Sequence, residues 1–152
     1  MINQKKILAI TLARGGSKSI PKKNIKIFGG IPLIAHTINA VNKSKFIDRY
    51  IVSTDSDEII NIAKSYNAEA PFVRPSIYSS DKASSVSALQ HAVEWAEKDR
   101  GEKFDYIVEV MCTNPLKITS DIDACIIKLE ENDADSVIAV HKLEDHHPPR
   151  IK

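Results

Sequence analysis

The chain of 152 residues has only two cysteines, Cys112 and Cys125, and neither belongs to a C-x-x-C pair. Metal-site and redox-motif readings therefore have little support, and two reduced thiols are the default. Excess charge is lacking too: 21 Lys and Arg against 20 Asp and Glu leave +1 at pH 7. Bulk attraction to nucleic acid or to an anionic membrane has no basis in that balance. Transmembrane runs, internal repeats and low-complexity segments are absent. Lys5-Lys6 and the apolar stretch after it superficially resemble a signal peptide, but the stretch is minimal and leads directly into Arg14. It reads as the first buried strand of a cytoplasmic protein. The phosphate-loop spacings G-x-x-x-x-G-K-[ST] and G-x-G-x-x-G are missing as well, which weakens a kinase, ATPase or dehydrogenase reading.

What is present is a different loop. After the apolar run Ile7 to Ile10 comes Leu12-Ala13-Arg14-Gly15-Gly16-Ser17-Lys18-Ser19-Ile20-Pro21-Lys22-Lys23-Asn24. Paired glycines let backbone N–H groups approach an anion, and Arg14, Lys18, Lys22 and Lys23 supply the charge that a triphosphate needs. The bland alternative is a solvated basic turn.

With 43% hydrophobic and 27% charged residues, the length fits one α/β domain over residues 1–152 with a real core. Short β-branched runs lie at Ile7 to Leu12, Tyr50 to Ser53, Tyr106 to Val110 and Val137 to Val140, with a weaker one near Pro71 to Arg74. Helical stripes separate them: Leu33, Ile34, Ile38 and Val41, then Ile59, Ile60, Ala63 and Tyr66. The third stripe is Val86, Leu89, Ala92, Val93 and Ala96, with Ser84 or Ser85 as cap, and the fourth is Ile122, Cys125, Ile126 and Leu129. Ser120 followed by Asp123 has the spacing of a capping box with a shorter acid. Strand and helix thus alternate about four times, which predicts a mostly parallel sheet with helices on both faces and ligands at the carboxyl ends of its strands. The loop from Arg14 to Asn24, Asp55, and Thr113-Asn114-Pro115 all fall at that edge.

Short motifs in one fixed order add to this reading. They are Ala13, Arg14, Ser17, Lys18, Pro21, Lys23 and Asn24 in the pattern A-R-x-x-S-K-x-x-P-x-K-N, then His36-Thr37-Ile38-Asn39-Ala40, Ile51-Val52-Ser53-Thr54-Asp55 and Arg74-Pro75. Ser80-Asp81-Lys82-Ala83-Ser84-Ser85, Thr113-Asn114-Pro115-Leu116 and His146-His147-Pro148 follow. In these residues, from about Lys6 onward, the chain resembles the acylneuraminate cytidylyltransferase family, the CMP-sialic acid synthetases and their relatives. The resemblance implies a three-layer Rossmann-like nucleotidyltransferase fold. It also implies the reaction: a 2-keto sugar acid attacks the α-phosphate of CTP, pyrophosphate leaves, and a CMP-sugar results.

The same resemblance assigns roles. Arg14, Ser17 and Lys18 would bind the triphosphate in a loop that includes Ala13, Gly15 and Gly16, and Lys23 would stabilise charge on the attacked α-phosphate. Arg14 and Lys23 are the catalytic candidates. Asn24, Arg74 and the turn from Ala83 to Ser85 would surround the cytidine, with Ser85 near the phosphates or ribose. Arg74 alone would read as a surface cation before a proline, but its place in Val73-Arg74-Pro75 favours a nucleotide contact, which suits a planar guanidinium. Met111, Thr113 and Asn114 would face the acceptor sugar. For Asp55 a helix-capping role is favoured over a ligand contact, and His36 and His91 read as packed or surface residues without zinc-ligand spacing.

Two departures qualify the resemblance. Where the family has Gln-Pro-Thr-Ser-Pro-Leu-Arg, this chain reads Met111-Cys112-Thr113-Asn114-Pro115-Leu116-Lys117. Methionine cannot replace the glutamine's hydrogen bonds, which puts sialic acid itself in question as substrate. The family's dimerisation arm and magnesium-binding aspartates would also lie beyond Lys152, so the chain reads as truncated relative to its relatives. Mg2+ is expected with CTP, the described motifs offer no metal ligands of their own, and Asp121 with Asp123 reads as a helix start. A homodimer is implied for a full-length relative. The alternatives are an inactive nucleotide-binding fragment or interaction domain, and a nucleotidyltransferase for another sugar acceptor.

Overall fold

The computed structural model describes residues 2–16, 20–80 and 83–140. Three parallel strands form its centre: β1 (Ile7–Leu12), β4 (Arg49–Ser53) and β5 (Tyr106–Glu109), in the order β4-β1-β5. Between β1 and β4 lie β2 (Ile27–Phe28), β3 (Ile31–Pro32) and α1 (Leu33–Asn42). Then come α2 (Asp57–Ser65) and α3 (Ser85–Arg100) before β5, and α4 (Thr119–Glu131) after it.

The β-branched runs of β1 and β4 are buried on both faces, as strands of a covered parallel sheet must be. Ile7, Ala9, Tyr50 and Val52 pack on one face against Ile34, Ile38 and Val41 of α1, Ile59 and Ala63 of α2, and Ile122 and Ile126 of α4. Leu8, Ile10 and Ile51 pack on the other face against Ala92 and Ala96 of α3. Helices therefore cover both faces, as the alternation predicts. Because β1 has a neighbour on each side, its carboxyl end is the switch point where the outgoing loops diverge and leave a crevice.

Register is fixed at both ends of β1. At its amino end Asp105 accepts the Lys6 amide at 2.8 Å and Asp48 accepts the Ile7 amide at 2.9 Å. Near its carboxyl end the buried Tyr50 hydroxyl donates to Thr11 Oγ1 at 2.8 Å, and that hydroxyl donates to Val110 O at 2.8 Å. Burial pushes the Tyr50 pKa well above its ordinary value, so the phenol remains a donor. Three neighbouring segments of chain are thereby stapled through one hydroxyl.

Several sequence expectations are corrected. Val137 to Val140 is not a strand: Ile138 and Val140 are 79% and 87% exposed. β-Branched residues favour extended backbone, but a strand forms only where a neighbour completes its hydrogen bonds, and no described residue does so there. The weak segment near Pro71 to Arg74 runs beside β4 only through the isolated rungs Ile51↔Glu69 and Thr54↔Val73. Val86 is exposed and Ala88 takes the buried position in α3. The cap of α3 is Ser84, which accepts from Ser87 N at 3.1 Å. α4 begins at Thr119, where Asp121 accepts from Ile118 N at 2.9 Å; Asp123 instead accepts from the Ser44 hydroxyl.

The β2–β3 ribbon is an element the sequence reading did not include. Its Gly29 and Gly30 both have positive φ, +56° and +89°, which the tight turn of a two-residue hairpin requires. His36 Nε2 donates to Phe28 O at 2.8 Å and its ring packs on Phe28, so His36 braces that hairpin. No described helix is long and apolar enough to cross a membrane.

Thr11→Val should destabilise the fold by about 2 kcal/mol, because it leaves the Tyr50 hydroxyl buried without an acceptor and strips Val110 O of its donor. Tyr50→Phe should cost only about 1 kcal/mol, since Thr11 still reaches Val110. Urea unfolding of the two variants checks the order, and equal losses would mean that the hydroxyls do not act as a chain.

Candidate active site

The loop after β1 continues the ladder for one residue, Ala13 N donating to Ser53 O at 3.0 Å, before it turns out of the sheet. Asp55, just after β4, then accepts the Gly15 amide at 2.8 Å. A Cβ on Gly15 would lie 2.8 Å from Ser56 Cβ, so glycine is needed here for close approach. The Gly15 amide is engaged by Asp55 and does not point at an incoming anion, which corrects half of the paired-glycine argument. Gly16 has no described residue within 4 Å of the place a Cβ would take. Asp55 is also not the cap of α2: Ser56 holds that place and accepts from Ile59 N.

The far side of the loop is anchored by Asn24, which is buried. Its Nδ2 donates to Arg14 O at 2.9 Å, and its Oδ1 accepts from Cys112 Sγ at 3.2 Å. Burial raises the Cys112 pKa, with Lys117 and Lys23 opposing from nearby, so the thiol stays protonated and can donate. Lys23 is half-buried in a short 3-10 turn, Lys23–Ile25. Lys22, just before it, adopts φ 51° and its ammonium pairs with Glu58 at 2.7 Å. Lys22 therefore points to α2, which corrects the expectation that it joins the phosphate cations.

Arg74 is only 3% exposed. Its amide donates to Thr54 O at 2.7 Å and its Nε to Ser79 Oγ at 3.0 Å. Burial lowers the guanidinium's pKa, Asp55 opposes and Arg14 reinforces, which brings three charged groups from three segments into one neighbourhood. Nη2 of Arg74 and Oγ of Ser53 are buried with no partner among the described residues. Unpaired buried donors are rare in a finished interior and call for a ligand, an ion or water.

Ala83 and Ser85 stand at the start of α3, Ser85 exposed and Ala83 donating its amide to Ser80 O at 3.1 Å. Met111, Thr113 and Asn114 sit exposed on the loop after β5. That loop is held by Lys117, a residue given no role in the sequence reading. Ser17 and Lys18 lie outside the described residues, as do Asp81, Lys82 and the tail with His146 to Pro148. Of the described candidates, the structure gathers Arg14, Asn24 and Arg74 around Asp55 and Cys112, with Lys23 close to Cys112.

A parallel sheet with helices on both faces and cationic loops at its carboxyl edge is a Rossmann-like α/β architecture. The chain belongs to the cytidylyltransferase family, whose model matches residues 8–149. It is 38% identical over 139 residues to the pseudaminic acid cytidylyltransferase of Campylobacter jejuni, covering 91% of this chain and 60% of that protein. It is 40% identical over 109 residues to the N-acylneuraminate cytidylyltransferase of Oncorhynchus mykiss, covering 72% of this chain and 24% of the relative. The fold is similar to that of CMP:2-keto-3-deoxy-manno-octonic acid synthetase complexed with CTP, with TM-score 0.70 and 18% identity over 85% of this chain and 49% of that one. The chain thus spans 60% of the length of the Campylobacter relative.

Gly15→Ala should destabilise the protein by about 1–3 kcal/mol through overpacking on Ser56. Adding Ser56→Gly should recover part of that loss, because the clash is with Cβ and glycine is tolerated at a helix cap. No recovery would place the strain elsewhere.

His91 packs between Phe72 and Tyr78, each with ring centroids 4.9 Å away, and its Nδ1 is buried without a partner among the described residues. Burial holds its pKa below the ordinary value, Glu94 opposing and Arg74 reinforcing. The unfolded chain takes up that proton below about pH 6.5, where the folded imidazole resists it. Stability should therefore be complete above that pH and fall as the pH drops toward the folded pKa. Urea unfolding at about pH 7.5 and about pH 5.5 should show a larger drop for the wild type than for His91→Phe. Equal drops would remove His91 from the pH response.

Proposed function

We propose that this chain is the nucleotide-binding part of a CTP-dependent cytidylyltransferase that converts a sialic acid-like 2-keto sugar acid to its CMP-sugar with release of pyrophosphate. The observation that carries this reading is the buried Arg74 guanidinium with a free donor beside Arg14, at the switch point of a sheet whose family is the cytidylyltransferases. A polyanion would give the Arg74 guanidinium the partner that the described residues do not.

In this reading Arg14, with Ser17, Lys18 and Gly16, receives the triphosphate, while Gly15 shapes the loop through its bond to Asp55. Arg74 and Asn24, with Ala83 and Ser85, border the cytidine. Lys23 neutralises charge developing on the α-phosphate as the anomeric hydroxyl attacks in line and pyrophosphate departs, the electrostatic work that phosphoryl transfers need. Met111, Thr113 and Asn114 border the acceptor. Met111 brings a thioether in place of a strong hydrogen-bonding group, which disfavours an N-acylneuraminate, and the Campylobacter relative's name makes pseudaminic acid the first alternative.

Magnesium would arrive with the nucleotide. Among the described residues no group of three or more His, Cys, Asp and Glu could hold a metal ion. The same reading carries a cytoplasmic location, where CTP is available, and a homodimer for the full-length protein.

Thermal unfolding with ATP, GTP, UTP and CTP, each with and without magnesium, tests the nucleotide half. A ligand at about 100 times its Kd stabilises by roughly 2.7 kcal/mol, and the shift should be selective for CTP. A clean transition that no nucleotide moves would defeat the reading. In the full-length protein Lys23→Ala should abolish transfer while the CTP shift persists, and wild-type rates would remove the lysine from the mechanism.

A further inference from the structure

Past the buried Cys112, the loop after β5 has little apolar burial to hold it. Met111, Leu116 and Ile118 are 62%, 78% and 60% exposed. Its shape depends instead on Lys117, which reaches back across its own turn. The ammonium donates to Met111 O at 2.7 Å, to Asn114 O at 2.5 Å and, on α1, to Thr37 Oγ1 at 2.8 Å. Three donors meet three acceptors, so the capacity of the group is used in full. Thr37 is completely buried, which makes it a rigid anchor, and a second tie follows where Thr119 Oγ1 donates to Ala40 O at 2.9 Å.

All three acceptors of Lys117 are uncharged. Burial accordingly lowers its pKa, with only the Cys112 thiol opposing. A half-buried ammonium without a carboxylate is a costly way to stabilise a fold. It is an effective way to define two carbonyls and the side chains they carry, because the three acceptors fix the turn in one shape.

We propose that Lys117 is a positioning residue for the acceptor sugar: by clamping the carbonyls of Met111 and Asn114 to α1 it orients Met111, Thr113 and Asn114 without touching the reacting atoms. This rests on the cytidylyltransferase reading given above. It separates the two halves of the site, since the clamp acts on the acceptor loop and not on Arg14 or Arg74.

Transfer kinetics of the full-length protein, with CTP and either pseudaminic acid or an N-acylneuraminate, compare the wild type with Lys117→Met, Lys117→Arg and Thr37→Val. Lys117→Met should raise the acceptor KM by about tenfold or more while the KM for CTP stays within about twofold. Lys117→Arg should recover part of the loss because donors remain. Thr37→Val removes one acceptor at nearly constant volume and should raise the acceptor KM by about twofold to threefold, which keeps the proposal open to test if Lys117→Met does not fold. An unchanged acceptor KM in Lys117→Met, or in Thr37→Val where that is the only folded variant, overturns the clamp, as does an equal rise in both KM values. Transfer by the wild type then keeps the cytidylyltransferase reading intact. A wild type that transfers to neither acid defeats that reading, and the proposal falls with it.

Discussion

The pairing of β1 with a parallel neighbour on each side decides where the loops of this protein can go. Leu12 is opposite Ser53 on one side, and Ile10 is opposite Glu109 on the other. The chain therefore leaves all three strands at one edge of the sheet, and a shift of register would reverse which face each side chain occupies. Thr11 shows how that register is held. An apolar residue would pack in its place, but only a hydroxyl can accept from Tyr50 and donate to Val110 at once. The carboxyl ends of β4, β1 and β5 are thus fixed beside one another before any loop residue acts.

Two buried arginines, one in β4 and one just past its carboxyl end, show how a cation paired within the fold differs from one that is not fully paired there. Arg49, at the amino end of β4, donates to Glu69, Asp99 and Ala96 O and lies 5.4 Å from the centroid of the Trp95 ring. Burial disfavours its charge, yet the hydrogen bonds to Glu69 and Asp99 raise its pKa above the ordinary value. Arg74, past the carboxyl end, has its pKa lowered and a buried donor unmet among the described residues. The first guanidinium is in equilibrium with its surroundings as they stand; the second carries a desolvation cost that its own neighbours do not repay. Asp55 moderates that cost electrostatically, and it also holds the Gly15 amide. One carboxylate thereby offsets the charge of Arg74 and shapes the loop that follows Arg14.

The alternation of strands and helices was legible in the sequence because its signal is local: β-branched runs against 3.6-residue stripes. The strand expected at Val137 to Val140 shows the limit of that signal, since pairing depends on a neighbour that composition does not reveal. The Gly29-Gly30 turn was readable in principle, being a two-residue glycine loop between apolar pairs. The candidate site divides in the same way. Arg14, Lys23, Asn24 and Arg74 stand out by type and motif. The contacts that organise them join residues far apart in the chain: Gly15 to Asp55, Asn24 to Cys112, and Lys117 to Thr37. No local pattern encodes a contact across 80 or more residues, and Lys22 shows the converse, a cation inside the motif that turns to Glu58 on α2.

Those long-range contacts form a continuous path. Arg14 O is held by Asn24, Asn24 by the protonated Cys112 thiol, and the next residue back, Met111, by Lys117, which is tied in turn to α1. A thiol donor at the centre of this path is weaker than a hydroxyl or an amide, but it is buried, and burial both keeps it protonated and excludes competing water. The loop after β1 and the loop after β5 are consequently not independent. Any group that displaces the Asn24 amide changes the carbonyl of Arg14 on one side and the environment of Cys112 on the other. The proposed in-line transfer would demand that nucleotide and acceptor be placed relative to each other more closely than either need be placed relative to the protein. A hydrogen-bonded link between the two loops, set on a sheet edge whose register is already fixed, would supply that relative placement.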